Sequence, residues 1–211
     1  MATLNAAMAA CAAGSAWQAA LTLFAGAEPG RARQVQDVGL DLVSYNTVLH
    51  ALGLGGQWLM AVALFGELPK RGFQPSLVSF NTTISACERR GEWRRAEVLM
   101  RDLCWRGLQP DLVTHHALIS AHAKGGHLAG ALAALQAARL EGLELGLAGW
   151  NAALGACGRA AEWGLATELL RHMRREGPEP DLISWNELIN ACGKAAEWRG
   201  ALHVFGQLRS A

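Results

Sequence analysis

A period of 35 residues runs through this chain and restricts its fold more than any other feature. The stretch from Leu77 to Asp111 matches the sequence 35 residues before and after it. One column has no exception and contains Ala61, Ala96, Ala131, Ala166 and Ala201. A second column is interrupted by Leu128 and contains Trp58, Trp93, Trp163 and Trp198. A fixed period of this length is typical of a solenoid, in which hairpins stack because one hairpin cannot bury its own apolar faces.

Each unit contains the pattern of two helices. Phe80, Ile84 and Cys87 recur at the three- and four-residue steps of one helix face, and a second face of this kind follows Gly91. A column of glycines is expected to end the second helices in a left-handed conformation. Its members are Gly72, Gly107, Gly142 and Gly177. The small alanines allow close helix packing, and we expect the second-helix tryptophans to fill the core beside them.

The period divides the chain into six repeats and predicts an all-α solenoid in one array. The predicted repeats are residues 1–41, 42–76, 77–111, 112–146, 147–181 and a truncated 182–211. The first repeat has about six extra residues around Glu28 to Gln36, which we expect to form a polar loop. Neither end carries a polar capping helix, which predicts a segment of a longer array.

Composition and cysteine placement exclude several classes of protein. The formal net charge is +1, so the chain is not a strongly basic nucleic-acid binder. Cys11, Cys87, Cys157 and Cys192 share one first-helix column, which predicts reduced core thiols rather than a disulfide or zinc framework. Residues 1–27 carry no charge, yet they fall in the repeat columns, so we expect a first repeat rather than a signal peptide or membrane helix.

No catalytic or metal-binding motif stands out in the sequence. His115, His116, His122 and His127 lie close together, but their spacing matches no standard metal pattern. The glycines are spread through turns, and no Ser/His/Asp arrangement can be placed. The sequence therefore predicts a binding module that is not an enzyme and that uses no metal and no cofactor.

The units open and close with recurring motifs. They open with Tyr45-Asn46-Thr47, Phe80-Asn81-Thr82, Trp150-Asn151-Ala152 and Trp185-Asn186-Glu187, and they close with Gly107-x-x-Pro110-Asp111 or Gly177-x-x-Pro180-Asp181. With the period and the alanine columns, the chain resembles the pentatricopeptide repeat family over essentially its whole length. The resemblance implies a right-handed α-solenoid that binds single-stranded RNA, not DNA, with one base per repeat. It also implies a chloroplast or mitochondrial role in RNA processing, stability or translation, with any catalytic step coming from a protein partner or another domain.

In that family the fifth residue of a repeat reads the base together with the last residue. The corresponding pairs are Asn5 with Asp41, Asn46 with Ser76, Asn81 with Asp111, His116 with Gly146 and Asn151 with Asp181, while Asn186 lies in the truncated repeat. An Asn amide can satisfy a pyrimidine edge, because it carries both an acceptor and donors. A carboxylate partner favours uracil, and a serine partner relaxes the choice toward cytosine. The expected target is therefore pyrimidine-rich and U-preferring, of the form 5′-U-C/U-U-N-U-3′.

Two further columns correspond to RNA contacts of the family. Apolar residues in the second place, which clamp the bases, are Val43, Val78, Val113, Ala148 and Ile183. Basic residues near the end of the first helix, which contact phosphates, are Arg89, Lys124, Arg159 and Lys194. Ala13 and Leu54 interrupt the basic column, so we expect the N-terminal repeats to hold RNA less firmly.

Simpler interpretations of the same columns stay open at this point. Asn and Asp near helix starts are often caps, apolar second-place residues can serve inter-repeat packing, and basic columns can form a solvated face. A protein-binding α-solenoid, with a peptide in the groove and structural Asn columns, is the alternative function.

Overall fold

The computed structural model describes residues 2–27 and 40–210, and within them it contains α-helices, one short 3-10 helix at Pro69–Arg71 and no strand. The helices are α1 (Ala2–Ala13), α2 (Trp17–Gly26), α3 (Leu42–Leu54), α4 (Trp58–Glu67), α5 (Leu77–Arg90), α6 (Trp93–Trp105), α7 (Leu112–Lys124), α8 (Leu128–Leu140), α9 (Leu147–Ala160), α10 (Trp163–Glu176), α11 (Leu182–Lys194) and α12 (Trp198–Ser210). The predicted polar loop at residues 28–36 lies outside the described residues. The all-α prediction is confirmed for the part of the chain that the structure describes.

The chain divides into two compact units. The first contains residues 1–90 and 98–109, and the second contains residues 91–97 and 110–211. In the first unit, α3 packs between α1 and α5, and α4 packs against α3 and α5. In the second unit, α9 packs between α7 and α11, with α8 and α10 beside it. Within each unit, the first helices of successive repeats therefore lie next to one another.

Aromatic and aliphatic side chains fill the core of the first unit. Tyr45 and Phe80 are buried on α3 and α5, where the sequence placed an aromatic core column. The ring of Phe24 meets Tyr45 edge to face, with centroids 4.9 Å apart. Phe65 meets Phe80 in the same way at 4.8 Å. Such pairs add about 0.5–1.5 kcal/mol each beyond the apolar area that they bury.

The core of the second unit is built on the same columns. Trp150 and Trp185 are buried on α9 and α11, and Leu154 and Cys157 complete one turn of the α9 core face. Ala166 of α10 is fully buried, as expected for a column that lets helices approach closely. Burial raises the pKa of the Cys157 thiol to about 11, so this cysteine behaves as a small apolar side chain.

The cysteines follow the predicted core column with one difference. Cys87, Cys157 and Cys192 are buried, Cys11 is half-buried, and Cys104 is exposed. None of the five cysteines forms a disulfide. None of the helices that the structure describes has both the length and the apolar character needed to cross a lipid bilayer.

Two expectations about individual columns are wrong. The tryptophan that begins the second helix is not a uniform core residue, since Trp163 is 39% exposed and Trp198 is 63% exposed. Gly177 does not end α10 in a left-handed conformation but is extended, with φ −118° and ψ −166°. Gly177 precedes Pro178, and the proline ring disfavours helical backbone at the residue before it. Gly107 and Gly142, which precede leucine, do take the expected positive φ.

The tight turn between the two helices of a hairpin contains a residue with positive φ. Glycine occupies this place at Gly56, Gly91 and Gly126. Ser15, Ala161 and Ala196 take the same conformation with φ between 56° and 59°. A side chain in this region of backbone space costs roughly 1–2 kcal/mol, because Cβ approaches the following carbonyl oxygen. These three turns therefore store strain that the glycine turns avoid.

Candidate nucleic-acid interface

Aspartates that end the predicted repeats cap the first helix of the next repeat. The carboxylate of Asp41 accepts a hydrogen bond from the Ser44 backbone N–H at 2.7 Å. Asp181 does the same with Ser184 at 2.9 Å, and Asp111 begins α7 in the same manner. In each case the side chain three residues on bonds back to the backbone of the aspartate, which completes a capping box.

The same carboxylates also bind the asparagine of the preceding repeat. Asn5 donates through Nδ2 to Asp41 Oδ1 at 3.3 Å, and its Oδ1 accepts from the Ser44 hydroxyl at 2.8 Å. Asn151 donates to Asp181 Oδ1 at 3.1 Å and accepts from the Ser184 hydroxyl at 2.6 Å. We call each set of three side chains an Asn–Asp–Ser triad. In both triads the amide nitrogen faces the carboxylate, so the orientation of the asparagine is fixed.

The electrostatics of the triad keep the carboxylate charged. The backbone N–H of Ser44 is the main cause that lowers the pKa of Asp41, and hydrogen bonds from the Ser44 and Asn5 side chains lower it further against a partial burial that raises it. The pKa of Asp181 is lowered in the same way, mainly by the Ser184 backbone N–H. An ionised carboxylate only accepts hydrogen bonds. The asparagine therefore keeps its amide nitrogen on the aspartate and turns its oxygen away from it.

The pair Asn46 and Ser76 lacks this arrangement. The Ser76 hydroxyl lies 3.2 Å from the hydroxyl of Ser79, which occupies the column of Ser44 and Ser184. The side-chain oxygen of Asn46 is buried and has no hydrogen-bond partner among the described residues. Asn46 therefore carries a buried amide oxygen that needs a donor.

His116 and Gly146 lie on one shallow hollow. Its wall also contains Val113 and Ala148, the two second-place residues of adjacent predicted repeats. Gly146 begins α9 without any side-chain cap. Gly149 stands where the triads have serine, so this pair has neither a carboxylate nor a hydroxyl to orient the His116 side chain.

Three predicted readout residues remain, namely Asn81, Asp111 and Asn186. Asn81 lies on α5 in the first compact unit, and Asp111 begins α7 in the second. Asn186 lies on α11 with an exposed side chain.

The apolar second-place residues face solvent. Val43, Val78, Val113 and Ile183 are each between 54% and 59% exposed, and Ala148 is exposed too. Inter-repeat packing would bury these side chains, so it does not explain them. An apolar residue in solvent within the first turn of successive first helices suits contact with a ligand such as a base.

The basic residues lie in the last turns of first helices. Arg89, Lys124, Arg159 and Lys194 are exposed on α5, α7, α9 and α11 in turn. A cation at this position also interacts favourably with the helix dipole. Arg159 has a further role, because its Nε donates to the Ala123 carbonyl oxygen at 2.6 Å.

Sequence columns alone missed the serines of the triads. Ser44 and Ser184 are fully buried and hold both the aspartate and the asparagine. The available signal was an aspartate followed three residues later by serine or threonine, which is the pattern of a capping box.

Comparisons with known proteins agree with this geometry. The model of the PPR repeat family matches residues 40–87 and 75–124. The pentatricopeptide repeat domain model matches residues 133–195, and the PPR repeat model matches residues 183–211. A comparison with curated proteins gives no significant match.

Solved structures show the same fold. The pentatricopeptide repeat protein PPR10 in complex with an 18-nt psaJ RNA element is 26% identical, with a TM-score of 0.75 over 97% of this chain and 33% of that chain. PPR10 from maize is 25% identical, with a TM-score of 0.72 over 98% of this chain and 34% of that chain. The PPR domain of Arabidopsis thaliana PRORP1 in complex with tRNA is 17% identical, with a TM-score of 0.64 over 77% of this chain and 86% of that chain.

This chain spans about a third of the length of the PPR10 structures. The likeness to PPR10 extends over nearly the whole chain and confirms the predicted all-α solenoid fold. The matched models together span most of the residues after residue 39. The chain belongs to the pentatricopeptide repeat family.

Proposed function

We propose that this chain binds single-stranded RNA with one base per repeat, and that the Asn–Asp–Ser triads read uracil. The observation that carries the proposal is the fixed orientation of Asn5 and Asn151. Family membership and the RNA complex of PPR10 support RNA as the ligand.

The triad geometry explains why uracil would be preferred. The aspartate is ionised and holds the amide nitrogen of the asparagine, and the asparagine oxygen accepts from the serine hydroxyl with a second lone pair left for a ligand. Uracil presents an N3–H that this oxygen can accept, whereas the N3 of cytosine is itself an acceptor. The two triads therefore favour uracil at the first and fifth positions of a five-base site.

The other predicted pairs fill the remaining positions. Asn46 has a buried side-chain oxygen with no partner among the described residues, and we expect its amide to pair with either pyrimidine after a rotation. Asn81 with Asp111 is proposed to read uracil, and His116 with Gly146 to show no sharp preference. The second-place residues would clamp the bases, and the basic column would contact phosphates.

The cellular role follows the family. We place this chain in a chloroplast or mitochondrion, where it would act on RNA processing, stability or translation as a binding module. Any catalytic step would be supplied by a separate protein or domain.

Selection from a random single-stranded RNA library tests this function. The purified chain is incubated with the library at two salt concentrations, and the retained RNA is sequenced. We expect pyrimidine-rich sites with uracil at the first, third and fifth positions, and no comparable enrichment from a matching DNA library. A variant with Asn5→Ala and Asn151→Ala is the control and should lose enrichment at the first and fifth positions alone.

A retained pool that matches the input, together with binding that disappears at modest salt, would contradict base readout. Circular dichroism of both proteins must show the same helix content for that conclusion. The protein-binding alternative would then be tested with peptides, since the row of exposed second-place residues offers an apolar surface to such a partner.

A further inference from the structure

The fourth predicted repeat, residues 112–146, departs from the repeat pattern at two neighbouring places that RNA readout does not use. His122 stands where the other repeats have cysteine or leucine in the core. His127 stands where four other repeats have glutamate or glutamine. Gly130 lies in a variable column that contains Met60, Arg95 and Leu165, and Gly200 shares the glycine. The two histidines and Gly130 meet in space.

The two histidines face each other through the same ring atom. Nδ1 of His127 lies 3.0 Å from Nδ1 of His122. Glu97 of α6 approaches from the preceding repeat, with Oε1 3.3 Å from Nε2 of His122. One ligand atom from each of the three residues lies within 4.8 Å of the others. All three belong to the second compact unit.

Gly130 makes the approach of the two rings possible. A Cβ atom at this position would lie 2.3 Å from Nδ1 of both histidines. Glycine in the middle of a helix such as α8 costs roughly 0.5–1 kcal/mol relative to alanine. The helix bears this cost at the one place where any side chain would separate the two nitrogens.

Neighbouring side chains pack against the His122 and His127 rings, and the Glu97 side of the cluster is open to solvent. His122 is 1% exposed at the end of α7. The indole of Trp93 stacks on the His127 ring, with centroids 4.1 Å apart and an interplanar angle of 10°. Glu97 is 39% exposed, so its carboxylate is accessible from solvent and free to adjust.

We propose that Glu97, His122 and His127 form a site for one divalent transition-metal ion of the zinc class. Imidazole nitrogen and carboxylate oxygen are ligands that suit this class. Two metal–nitrogen bonds of about 2.1 Å span the 3.0 Å between the histidine nitrogens at an angle of about 90°. Oε1 of Glu97 lies on Nε2 of His122, the ring nitrogen that does not face His127, so the exposed carboxylate must move toward the two Nδ1 atoms to bind the same ion. Water would complete the coordination.

The bound ion would act as a structural clamp. It would join the first turns of α6 to the end of α7 and the start of α8, all within the second compact unit. This role is separate from the proposed RNA contacts, and it departs from the expectation of no metal that the sequence spacing alone suggested.

Titration of the tag-free full chain with Co²⁺ tests the proposal, followed by visible absorption and by calorimetry with Zn²⁺. The Cys104→Ser background removes the exposed thiol as a competing ligand. We expect saturable binding of one ion per chain. Glu97→Gln and His127→Gln should each weaken binding at least about tenfold. His172→Gln, which changes an exposed histidine on α10, is the matched control and should bind as the parent does.

Folding is checked by circular dichroism of each variant, and Glu97→Gln keeps the test valid if His127→Gln is unstable. Absence of saturable binding would overturn the proposal and leave the cluster as a hydrogen-bonded chain stacked on Trp93. Equal affinity in Glu97→Gln and in the parent would also overturn it, as would binding that is present in the wild type and absent in Cys104→Ser.

Discussion

Asp181→Asn separates the two roles of the aspartate in the Asn–Asp–Ser triad. Asparagine caps helices about as well as aspartate, so the hydrogen bond from the Ser184 backbone is expected to persist. The negative charge at the start of α11 is lost, which removes a dipole interaction of about 0.3–1 kcal/mol. The fold should therefore survive with a small loss of stability, whereas the base-reading geometry should change.

The size of the change in base preference follows from one hydrogen bond. In the wild type, the Asp181 carboxylate can only accept hydrogen bonds, and it accepts one from Nδ2 of Asn151 at 3.1 Å. The amide that Asp181→Asn introduces can also donate hydrogen bonds, so the side-chain amide of Asn151 can rotate and direct its own nitrogen toward the base. A hydrogen bond between the Asn151 oxygen and uracil N3–H is worth about 0.5–1.5 kcal/mol net, which is about two- to twelvefold in affinity. The ratio of uracil to cytosine affinity should fall by this factor.

Fluorescence anisotropy with two RNAs that differ only at the fifth position, uracil or cytosine, measures the ratio. Asp102→Asn removes a charge of the surface pair with Arg106, at 3.0 Å on α6, and serves as the control for lost charge. We expect the ratio of uracil to cytosine affinity at the fifth position to change in Asp181→Asn and not in Asp102→Asn. Asp111→Asn should change the corresponding ratio at the third position. Equal loss of affinity for both RNAs, with helix content unchanged, would show that Asp181 serves only as a cap.

Three further outcomes are expected. Ala196→Gly should raise the free energy of unfolding by roughly 1 kcal/mol in urea titration, because Ala196 has φ 57°, whereas Ala195→Gly at φ −78° should lower it. A thiol reagent at pH 8 should modify Cys104 in the folded chain and should reach Cys157 only after unfolding, since burial raises the pKa of Cys157 to about 11. The pKa of Asp181 is lower in the folded chain than its ordinary value of 3.8, so the ionised carboxylate stabilises the fold at pH values above 3.8. This stabilisation is lost as the pH falls through the folded-state pKa. The difference in urea midpoint between wild type and Asp181→Asn should shrink over the same pH range.

The sequence predicted the helices well because each column has one dominant cause. Leu42, Leu77 and Leu112 begin first helices where the period places them, and the preceding Asp or Ser supplies the start signal. The buried aromatic column of Tyr45 and Trp150 follows from helical periodicity alone. Helix starts and the buried aromatic column depend on residues within one repeat. The sequence of a single repeat is therefore enough to predict them.

Predictions failed where a neighbour in sequence or space decides the outcome. Gly177 follows its column in identity but not in conformation, because Pro178 restricts its backbone. Trp198 shares a column with Trp93, yet it is 63% exposed while Trp93 is half-buried. The repeat column determines which residue type stands at a position. The burial of that side chain depends on the residues that the next hairpin packs against it.

The candidate site shows the same division between local and non-local information. The fifth and last positions were identified through the family resemblance, but nothing in their spacing shows that Asn151 donates to Asp181 while Ser184 orients its oxygen. The distance between those residues in sequence is 30 or more, and the contact exists only because successive first helices pack side by side.

Departures from a repeat carry information that the repeat itself cannot. A residue that fits its column is explained by stacking, which every unit needs, so it says little about what one unit does. His122 and His127 each replace the usual residue of a column, and Glu97 stands where the repeats on either side have Val62 and Leu132. Separately, each would count as drift. Gly130 lies in a variable column, where Gly200 is also glycine. Only the fold brings the four together, with Gly130 in contact with both histidines. Two histidines and a glutamate that are each unusual in their columns, with ligand atoms within 4.8 Å of one another, are better explained by a shared ligand than by loss of pattern. For this reason the least regular repeat is where a metal should be sought.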